Sequence, residues 1–311
     1  MWYYIIGDNM SGGILIIDKP KGYTSRDIVN TVGRFLGTTK VGHCGTLDPI
    51  ATGVLVIGVD SGLKILEFMG HDTKEYVAKV RYGIKTDTLD ITGKVIEENH
   101  DYKIDKKKLK KVLLEFKTKY LQEVPLYSSV KLNGVRLYKY AREGKEVVLP
   151  KREVEILGIE LLDSTPEGFS FKCTVSKGTY IRSLIRDIGD KLGILCTMEE
   201  LRRTKQGVFD IEDSYTLSDI ENNNYEFIPL SKVLENYYST MVDSDMEFKI
   251  KNGALLPNIY NEDMVVFKNI KGEVIGIYEP YSKDINKIKP IRVFKWGDNK
   301  WLVFLKILFH Q

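Results

Sequence analysis

The chain has 311 residues, of which 43% are hydrophobic and 29% are charged, and its formal net charge is +3 at pH 7. This composition is typical of a folded globular protein and excludes a largely disordered one, and the length suits one large domain with a smaller one. No apolar run is long enough to span a membrane and no secretory leader is recognisable, so we expect a cytoplasmic protein, with Met10 as a candidate start of translation.

The first half of the chain alternates apolar strands with helices. A buried strand is predicted over 13–19, where it ends at a Lys-Pro-Lys-Gly turn. Thr24 with Asp27 indicates a capping box at the start of a helix, and a second buried strand is predicted over 54–59.

Three later segments alternate apolar and polar residues, as half-exposed strands do: 75–82, 152–156 and 169–175. A helix is predicted from Ser183 to Leu192, with Gly193 as its C-terminal cap. Together these elements predict an α+β fold on a mixed, largely antiparallel sheet with flanking helices.

A lysine-rich segment lies between residues 103 and 119, with eight lysines against Asp105 and Glu115. Apolar residues recur within it at helical spacing, which predicts an amphipathic helix over about 105–119 with lysines on its outer face. These lysines form either an ordinary solvated surface or a surface that faces phosphates, and the sequence leaves both interpretations open.

The periodicity is interrupted near 236–246, and short strands and turns follow it. Strands are predicted over 264–267 and 274–278, with a last one near Trp301. This pattern predicts a small β module of about 65 residues at the C-terminal end, which is within the usual size of an independent domain.

Cysteine and histidine spacing argues against a metal site. The three cysteines, Cys44, Cys173 and Cys196, lie far apart and form no C-x-x-C pair, which is typical of reduced thiols rather than of a disulfide framework or zinc site. The four histidines show no ligand spacing either, so we expect no metal.

The segment from Gly42 to Gly53 has the composition of a loop that carries chemistry. It reads GHCGTLDPIATG and places one carboxylate, Asp48, between glycines and a proline. Glycine lets the backbone approach a ligand closely and proline stiffens a turn, so the direction of the Asp48 side chain is fixed by its neighbours. Composition alone therefore indicates a loop with a rigid carboxylate.

This segment resembles the central motif of the tRNA pseudouridine synthase B family, and further motifs follow in the family's order between residues 12 and 205. They are the segments beginning at Asp18, Lys74, Gly83, Pro125, Tyr138, Ser176 and Leu201. The resemblance implies a pseudouridine synthase domain over 10–240, with an RNA-gripping thumb over about 124–152. It also implies a PUA-like β-barrel that binds RNA over 245–311.

The resemblance also implies the reaction and its residues. The expected activity is isomerisation of the T-loop uridine of tRNA, at position 55, by a monomer that flips the base out and needs no cofactor. Asp48 would be the nucleophile or catalytic carboxylate, Arg182 its counter-charge and Tyr76 the ring that stacks on the flipped base. The remaining implied contacts with substrate or RNA are those of His43, Tyr180, Leu201, Lys19 and Arg202, with Lys19 shaping the pocket floor or touching phosphate.

Three alternatives remain open at this stage. The guide-RNA-dependent branch shares the Gly-Thr-Leu-Asp-Pro segment, although it looks shorter around Thr86 to Asp90 and in the lysine-rich helix. A glycosidase would hydrolyse the same bond, but it typically needs two carboxylates and a water, and only Asp48 stands out. A third possibility is a protein that mainly helps tRNA to fold.

Overall fold

The structure is a computed structural model that describes residues 12–69 and 73–294. The candidate start at Met10 and the strand expected near Trp301 lie outside these described residues.

The elements up to the end of the main sheet are β1 (Gly12–Lys19), α1 (Ser25–Phe35), β2 (Val41–Cys44), β3 (Thr52–Asp60), a 3-10 helix (Ser61–Met69), β4 (Lys74–Tyr82), β5 (Ile84–Thr86), β6 (Val95–Glu98), α2 (Lys106–Glu115), β7 (Lys119–Glu123), β8 (Lys131–Leu132), β9 (Val135–Arg136), α3 (Leu137–Arg142), β10 (Lys151–Ser164), β11 (Gly168–Val175), α4 (Ile181–Leu192), β12 (Cys196–Gln206) and β13 (Phe209–Asp210). They are followed by a 3-10 turn (Ile211–Asp213), α5 (Leu217–Glu221), α6 (Leu230–Val233), β14 (Ser239–Met241), α7 (Ser244–Lys251), β15 (Leu256–Pro257), β16 (Val265–Lys268), β17 (Val274–Pro280) and β18 (Lys287–Val293).

Nine of the described strands form one sheet in the order β1-β3-β12-β4-β11-β10-β7, with β2 also paired to β3 and β13 to β12. All these pairings are antiparallel except the short parallel contact of β12 with β3, where Arg203 lies opposite Gly53. The predicted mixed, largely antiparallel sheet with flanking helices is confirmed. The parallel contact matters for function because it joins the strand after the Asp48 loop to the strand that carries Leu201.

The helix ends follow local signals in the sequence. Thr24 caps α1, and both hydrogen bonds of the capping box with Asp27 are present. Gly193 ends α4 in the left-handed conformation with φ of 74°, as predicted. However, α4 begins at Ile181, two residues earlier than predicted, so Arg182 lies in its first turn rather than before it.

The lysine-rich helix α2 is shorter than the predicted 105–119, because Lys119 already belongs to β7. Its apolar stripe packs with α4 and the sheet in one hydrophobic cluster. The Lys108 ammonium donates a hydrogen bond of 2.9 Å to the carbonyl of Leu192 at the C-terminal end of α4. A helix rises about 1.5 Å per residue, so this contact lies about 15 Å along α4 from Arg182.

The C-terminal strands form a second sheet in the order β14-β16-β17-β18-β15. The expected small β module is therefore present, although helix α7 precedes most of its strands and the described part of the sheet is an open path rather than a closed barrel. Val266 and Ile277 of this sheet share a hydrophobic cluster with Ile16 and Val54 of the main sheet. Among the described helices, none is long and apolar enough to cross a membrane.

Candidate active site

Asp48 lies in a short loop between β2 and β3. Because Val41–Cys44 and Thr52–Asp60 are strands, only residues 45–51 of the predicted loop are outside the sheet. The Ser25 hydroxyl at the start of α1 accepts a hydrogen bond from the amide of Leu47, at 2.9 Å, and the Ala51 amide donates to the carbonyl of Asp48. These contacts hold the backbone on both sides of Asp48.

Two buried cations bind the carbonyl groups of this loop. The Arg203 side chain is completely buried, and it donates to the carbonyls of Gly45 at 3.0 Å and Val54 at 2.7 Å, with a longer contact of 3.5 Å to Thr46. Gly53 has φ of +99°, and a Cβ atom there would lie 2.1 Å from the Arg203 carbonyl, so only glycine fits where β3 meets β12.

Lys19 is the second of these cations, and it is also completely buried. Its ammonium donates to the carbonyls of Pro20, Tyr23 and Pro49, at 2.9, 2.7 and 3.4 Å. Burial lowers the pKa of Lys19 to about 8, with nearby Asp48 opposing that shift. The ammonium is enclosed by these carbonyls, an arrangement that favours the expected role of Lys19 in shaping the pocket floor over a contact with phosphate.

Arg182 is the ion-pair partner of Asp48. Its Nε lies 2.9 Å from Oδ2 of Asp48, and its Nη2 donates to Oδ1 at 3.3 Å. The Arg182 side chain is 4% exposed whereas that of Asp48 is 37% exposed, so the guanidinium lies behind the carboxylate. The other guanidinium contacts are hydrogen bonds of 2.9 Å to the carbonyl of Thr88 and 3.0 Å to that of Tyr127. Arg182 thus holds Asp48 from behind while one face of the carboxylate stays open.

A cavity of about 340 Å³ opens in front of this pair. Its lining includes five of the residues proposed from the sequence: Asp48, Tyr76, Tyr180, Arg182 and Leu201. The segments that bring them together are far apart in the chain: the Asp48 loop, β4, the start of α4 and β12. Tyr127 and Tyr138, from the segment expected to form the thumb, also line the cavity.

Tyr76 presents a neutral phenol to this cavity. Its side chain is almost completely buried, and burial raises the pKa of Tyr76 more than the nearby Arg203 guanidinium lowers it.

Tyr180 is the residue before α4, and its amide donates to the Gln122 side chain at 2.8 Å. The Arg152 guanidinium lies 5.7 Å from the centroid of its ring. Such a contact holds an aromatic side chain at the cavity rim while one ring face is covered by the cation.

His43 and Arg202 do not line the cavity. His43 lies on β2 rather than in a loop, and burial, with Arg26 and Arg203 nearby, lowers its pKa, so it is a neutral side chain at pH 7. The Arg202 guanidinium forms an ion pair of 2.8 Å with Asp18, is 42% exposed, and lies in a neighbouring surface groove.

Arg203 is the residue of this site that sequence reasoning missed. Strand alternation puts residues 201 and 203 on one face and residue 202 on the other. Leu201 and Arg203 are indeed both buried, so this signal was available. Tyr127 was noted only as part of a motif, and no local pattern predicts that its carbonyl would bind Arg182.

Cysteines and metal ligands play no part in the described site. Cys44, Cys173 and Cys196 are free and buried, as expected for reduced thiols. Within the described ranges no three His, Cys, Asp or Glu side chains are grouped as a metal site.

Comparison with known proteins gives consistent similarities. Residues 33–181 match the profile of the TruB family pseudouridylate synthase N-terminal domain, and residues 182–237 match that of the tRNA pseudouridylate synthase B C-terminal domain. The tRNA pseudouridine synthase B of Clostridium tetani is 44% identical over 270 residues, which span 86% of this chain and 92% of that protein. Its counterpart from Thermotoga maritima is 42% identical over 274 residues, which span 86% and 87%.

Among solved structures, a Cbf5-Nop10-Gar1 complex is similar over 91% of this chain and 84% of that chain, with a TM-score of 0.67 and 26% identity. An H/ACA RNP bound to a substrate RNA containing 2′-deoxyuridine has a TM-score of 0.66 at 24% identity, over 94% and 87% of the two chains.

Proposed function

The chain belongs to the TruB family of pseudouridylate synthases, and on that basis we propose that it converts the T-loop uridine of tRNA, at position 55, to pseudouridine with Asp48 as the catalytic carboxylate. The names of its relatives support tRNA as the substrate. One structural observation supports the assignment of Asp48: it is the one carboxylate among the described residues that line the cavity, and Arg182 holds it from behind.

The proposed reaction breaks the N1–C1′ glycosidic bond, turns the uracil and forms a C5–C1′ bond. The proton on C5 is lost and N1 gains one, so atoms and electrons balance without an oxidant or reductant. Asp48 acts at the ribose, either by attack on C1′ or by removing a proton from the sugar as the base leaves. The exposed carboxylate face and the buried guanidinium suit both routes, because both need an oriented anion at the sugar.

The uridine must leave its stack to reach Asp48, at a cost of a few kcal/mol. We assign Tyr76 to stacking on the flipped uracil, since an aromatic face offsets part of that cost. A role of Tyr76 as the base that takes the C5 proton is less consistent with its environment, because burial raises the pKa of its phenol. Leu201 and Tyr180 form further walls, and His43 would fill the gap left in the RNA stack.

RNA contacts outside the cavity are assigned to the thumb, over about 124–152, and to a C-terminal PUA-like module over 245–311. Catalysis is assigned to 10–240. The second described sheet supports a separate module. We assign the protein as a monomer. Arg202 lies beside Leu201 in an adjoining groove and is a candidate for RNA contact there.

The alternatives are less well supported. A glycosidase typically uses two carboxylates, and the described cavity lining has one. The identity to stand-alone relatives, 44%, exceeds the 26% to the Cbf5 complex, which favours a stand-alone enzyme over a guided one.

Tritium release from a tRNA transcript labelled at uridine C5 tests the proposal. Joining C1′ to C5 expels that hydrogen, whereas hydrolysis would leave it on free uracil. We expect release by the wild type, none by Asp48→Asn, and no release from a transcript whose only labelled uridines lie outside position 55. The matched control is Asp210→Asn, because Asp210 forms a surface ion pair with Lys205 and does not line the described cavity.

Binding of the same tRNA transcript is measured in parallel with tritium release. Asp48→Asn should keep its affinity for tRNA, because the substitution preserves shape and removes a charge that would repel phosphate. Pseudouridine formation by this variant would disprove the role of Asp48. Tight binding by the wild type without any release would instead favour a protein that helps tRNA to fold.

A further inference from the structure

Three hydrogen bonds close a ring behind the ion pair of Asp48. Arg182 Nη1 donates to the carbonyl of Thr88 at 2.9 Å, and Arg182 Nη2 donates to the carbonyl of Tyr127 at 3.0 Å. The third bond runs from the Tyr127 hydroxyl to Oδ2 of Asp87, at 3.1 Å. Since Asp87 and Thr88 are neighbours in the chain, the two loops are joined to each other as well as to Arg182.

The Asp87 side of the ring is a rigid loop. Oδ1 of Asp87 accepts a hydrogen bond of 2.8 Å from the amide of Lys94, which leaves Oδ2 for Tyr127. The Asp90 side chain accepts from Thr88 and Thr92, so the turn is bonded to itself. A Cβ atom at Gly93 would lie 2.5 Å from Oδ1 of Asp87, so the loop also packs closely around this carboxylate.

The Tyr127 side of the ring is the base of the thumb. The amide of Val124 donates to the carbonyl of Pro150 at 3.0 Å, which closes the thumb where it leaves the sheet. Three residues further on, Tyr127 is held at both ends, by its hydroxyl on Asp87 and by its carbonyl on Arg182. Burial and the adjacent Asp87 raise the pKa of the Tyr127 phenol, so it remains a donor at neutral pH.

One nitrogen links this ring to the candidate catalytic carboxylate. Arg182 Nη2 contacts both the Tyr127 carbonyl, at 3.0 Å, and Oδ1 of Asp48, at 3.3 Å. A displacement of the thumb base would therefore turn the guanidinium that faces Asp48. Small misplacements of a catalytic group reduce rates strongly, because the reacting atoms must be aligned.

We propose that Asp87 and Tyr127 are positioning residues, whose hydrogen bond holds the thumb base and the loop 86–94 together so that Arg182 keeps Asp48 aligned with the reacting ribose. This inference rests on the proposed function. It assigns a task to Asp87, and it couples the thumb to the ion pair of Asp48 and Arg182.

The coupling between the thumb base and the ion pair of Asp48 is tested by the rate of single-turnover pseudouridine formation at saturating tRNA. The affinity for tRNA is measured separately. Tyr127→Phe keeps the ring and removes only the hydroxyl. We expect its rate to fall about tenfold, the factor for losing one hydrogen bond to a charged group, while the dissociation constant for tRNA stays within about twofold. Asp87→Ala should lower the rate similarly, and the Asp87→Ala/Tyr127→Phe double variant should be no slower than the slower single variant.

The conservative variant Asp87→Asn distinguishes positioning from a general loss of structure. Its amide oxygen can still accept from Lys94, and its amide nitrogen can donate to the Tyr127 oxygen, so its rate should stay within about threefold of wild type. Tyr102→Phe is the matched control, because that hydroxyl donates to the Pro166 carbonyl at 3.3 Å, outside the ring. It should react like the wild type.

A wild-type rate for Tyr127→Phe would overturn the inference. So would additive losses in the double variant, or a loss confined to tRNA affinity. Absence of product with the wild-type protein is a different result, because it would refute the proposed function itself.

Discussion

The two neighbouring arginines of β12 should differ sharply in their effect on stability. Arg203→Met removes the donor for the carbonyls of Gly45 and Val54, which lie at 3.0 and 2.7 Å from it in a fully buried site. A buried acceptor left without a partner costs about 1–3 kcal/mol, so two of them lower the free energy of unfolding by about 2–6 kcal/mol. Arg202→Met breaks a partly exposed ion pair with Asp18, which is worth about 0–1 kcal/mol.

Urea unfolding, monitored by circular dichroism, measures the free energy of unfolding of both variants and the wild type. Equal slopes of that free energy against urea concentration check that the unfolded states are comparable. Arg203→Lys is the intermediate case: it keeps the charge but not the fork of donors, and we expect it to lie between wild type and Arg203→Met. If the free energies of unfolding of Arg203→Met and Arg202→Met differ by less than about 1 kcal/mol, the reasoning is refuted, because burial would then not decide how much stability each substitution removes.

Two further predictions concern charge. Lys19 has a pKa lowered to about 8, so above that pH the unfolded chain binds more protons than the folded one. From about pH 8 to 10, the free energy of unfolding of the wild type relative to Lys19→Met, measured in urea, should therefore rise by up to about 1.4 kcal/mol per pH unit. A difference between the two proteins that stays constant over this pH range would contradict the prediction. The exposed lysines of α2 lie near the C-terminal end of α4, which is the end far from Arg182. Changing them to Gln should therefore leave unchanged the slope of log K against log salt concentration for tRNA binding. Each lost phosphate contact would instead reduce that slope by about 0.7–0.9. The residues changed together in that variant are Lys106, Lys107, Lys110 and Lys111.

Local signals in the sequence were sufficient for most of the fold. The Thr24 capping box, the Gly193 cap and the period-two strands each depend on a few consecutive residues, and each is present in the structure. The start of α4 was predicted too late because Tyr180 offers no side-chain cap to mark it. That two-residue error decides whether Arg182 lies before the helix or within it.

The assembly of the site could not be derived from local patterns. Asp48 and Arg182 are 134 residues apart, and only the family resemblance connected them. The burial of Lys19 depends on Pro49, 30 residues later, whose carbonyl closes over the ammonium. No composition rule anticipates such a contact, because a lysine at the end of a strand is usually exposed.

The cations around the Asp48 loop are satisfied mainly by backbone carbonyls rather than by carboxylates. Arg203, Lys19 and Arg182 all donate to carbonyl oxygens, and within the described cavity lining Asp48 is the one carboxylate among them. Carbonyl dipoles hold these cations in place without cancelling their charge, so an excess of positive charge remains around the Asp48 loop. In the proposed reaction the uracil leaves with a pair of electrons and becomes anionic as the N1–C1′ bond breaks. Fixed positive charge favours that developing anion, and it costs no reorganisation because it is already in place. In the reaction we propose, the same arrangement would therefore orient Asp48 and stabilise the leaving base.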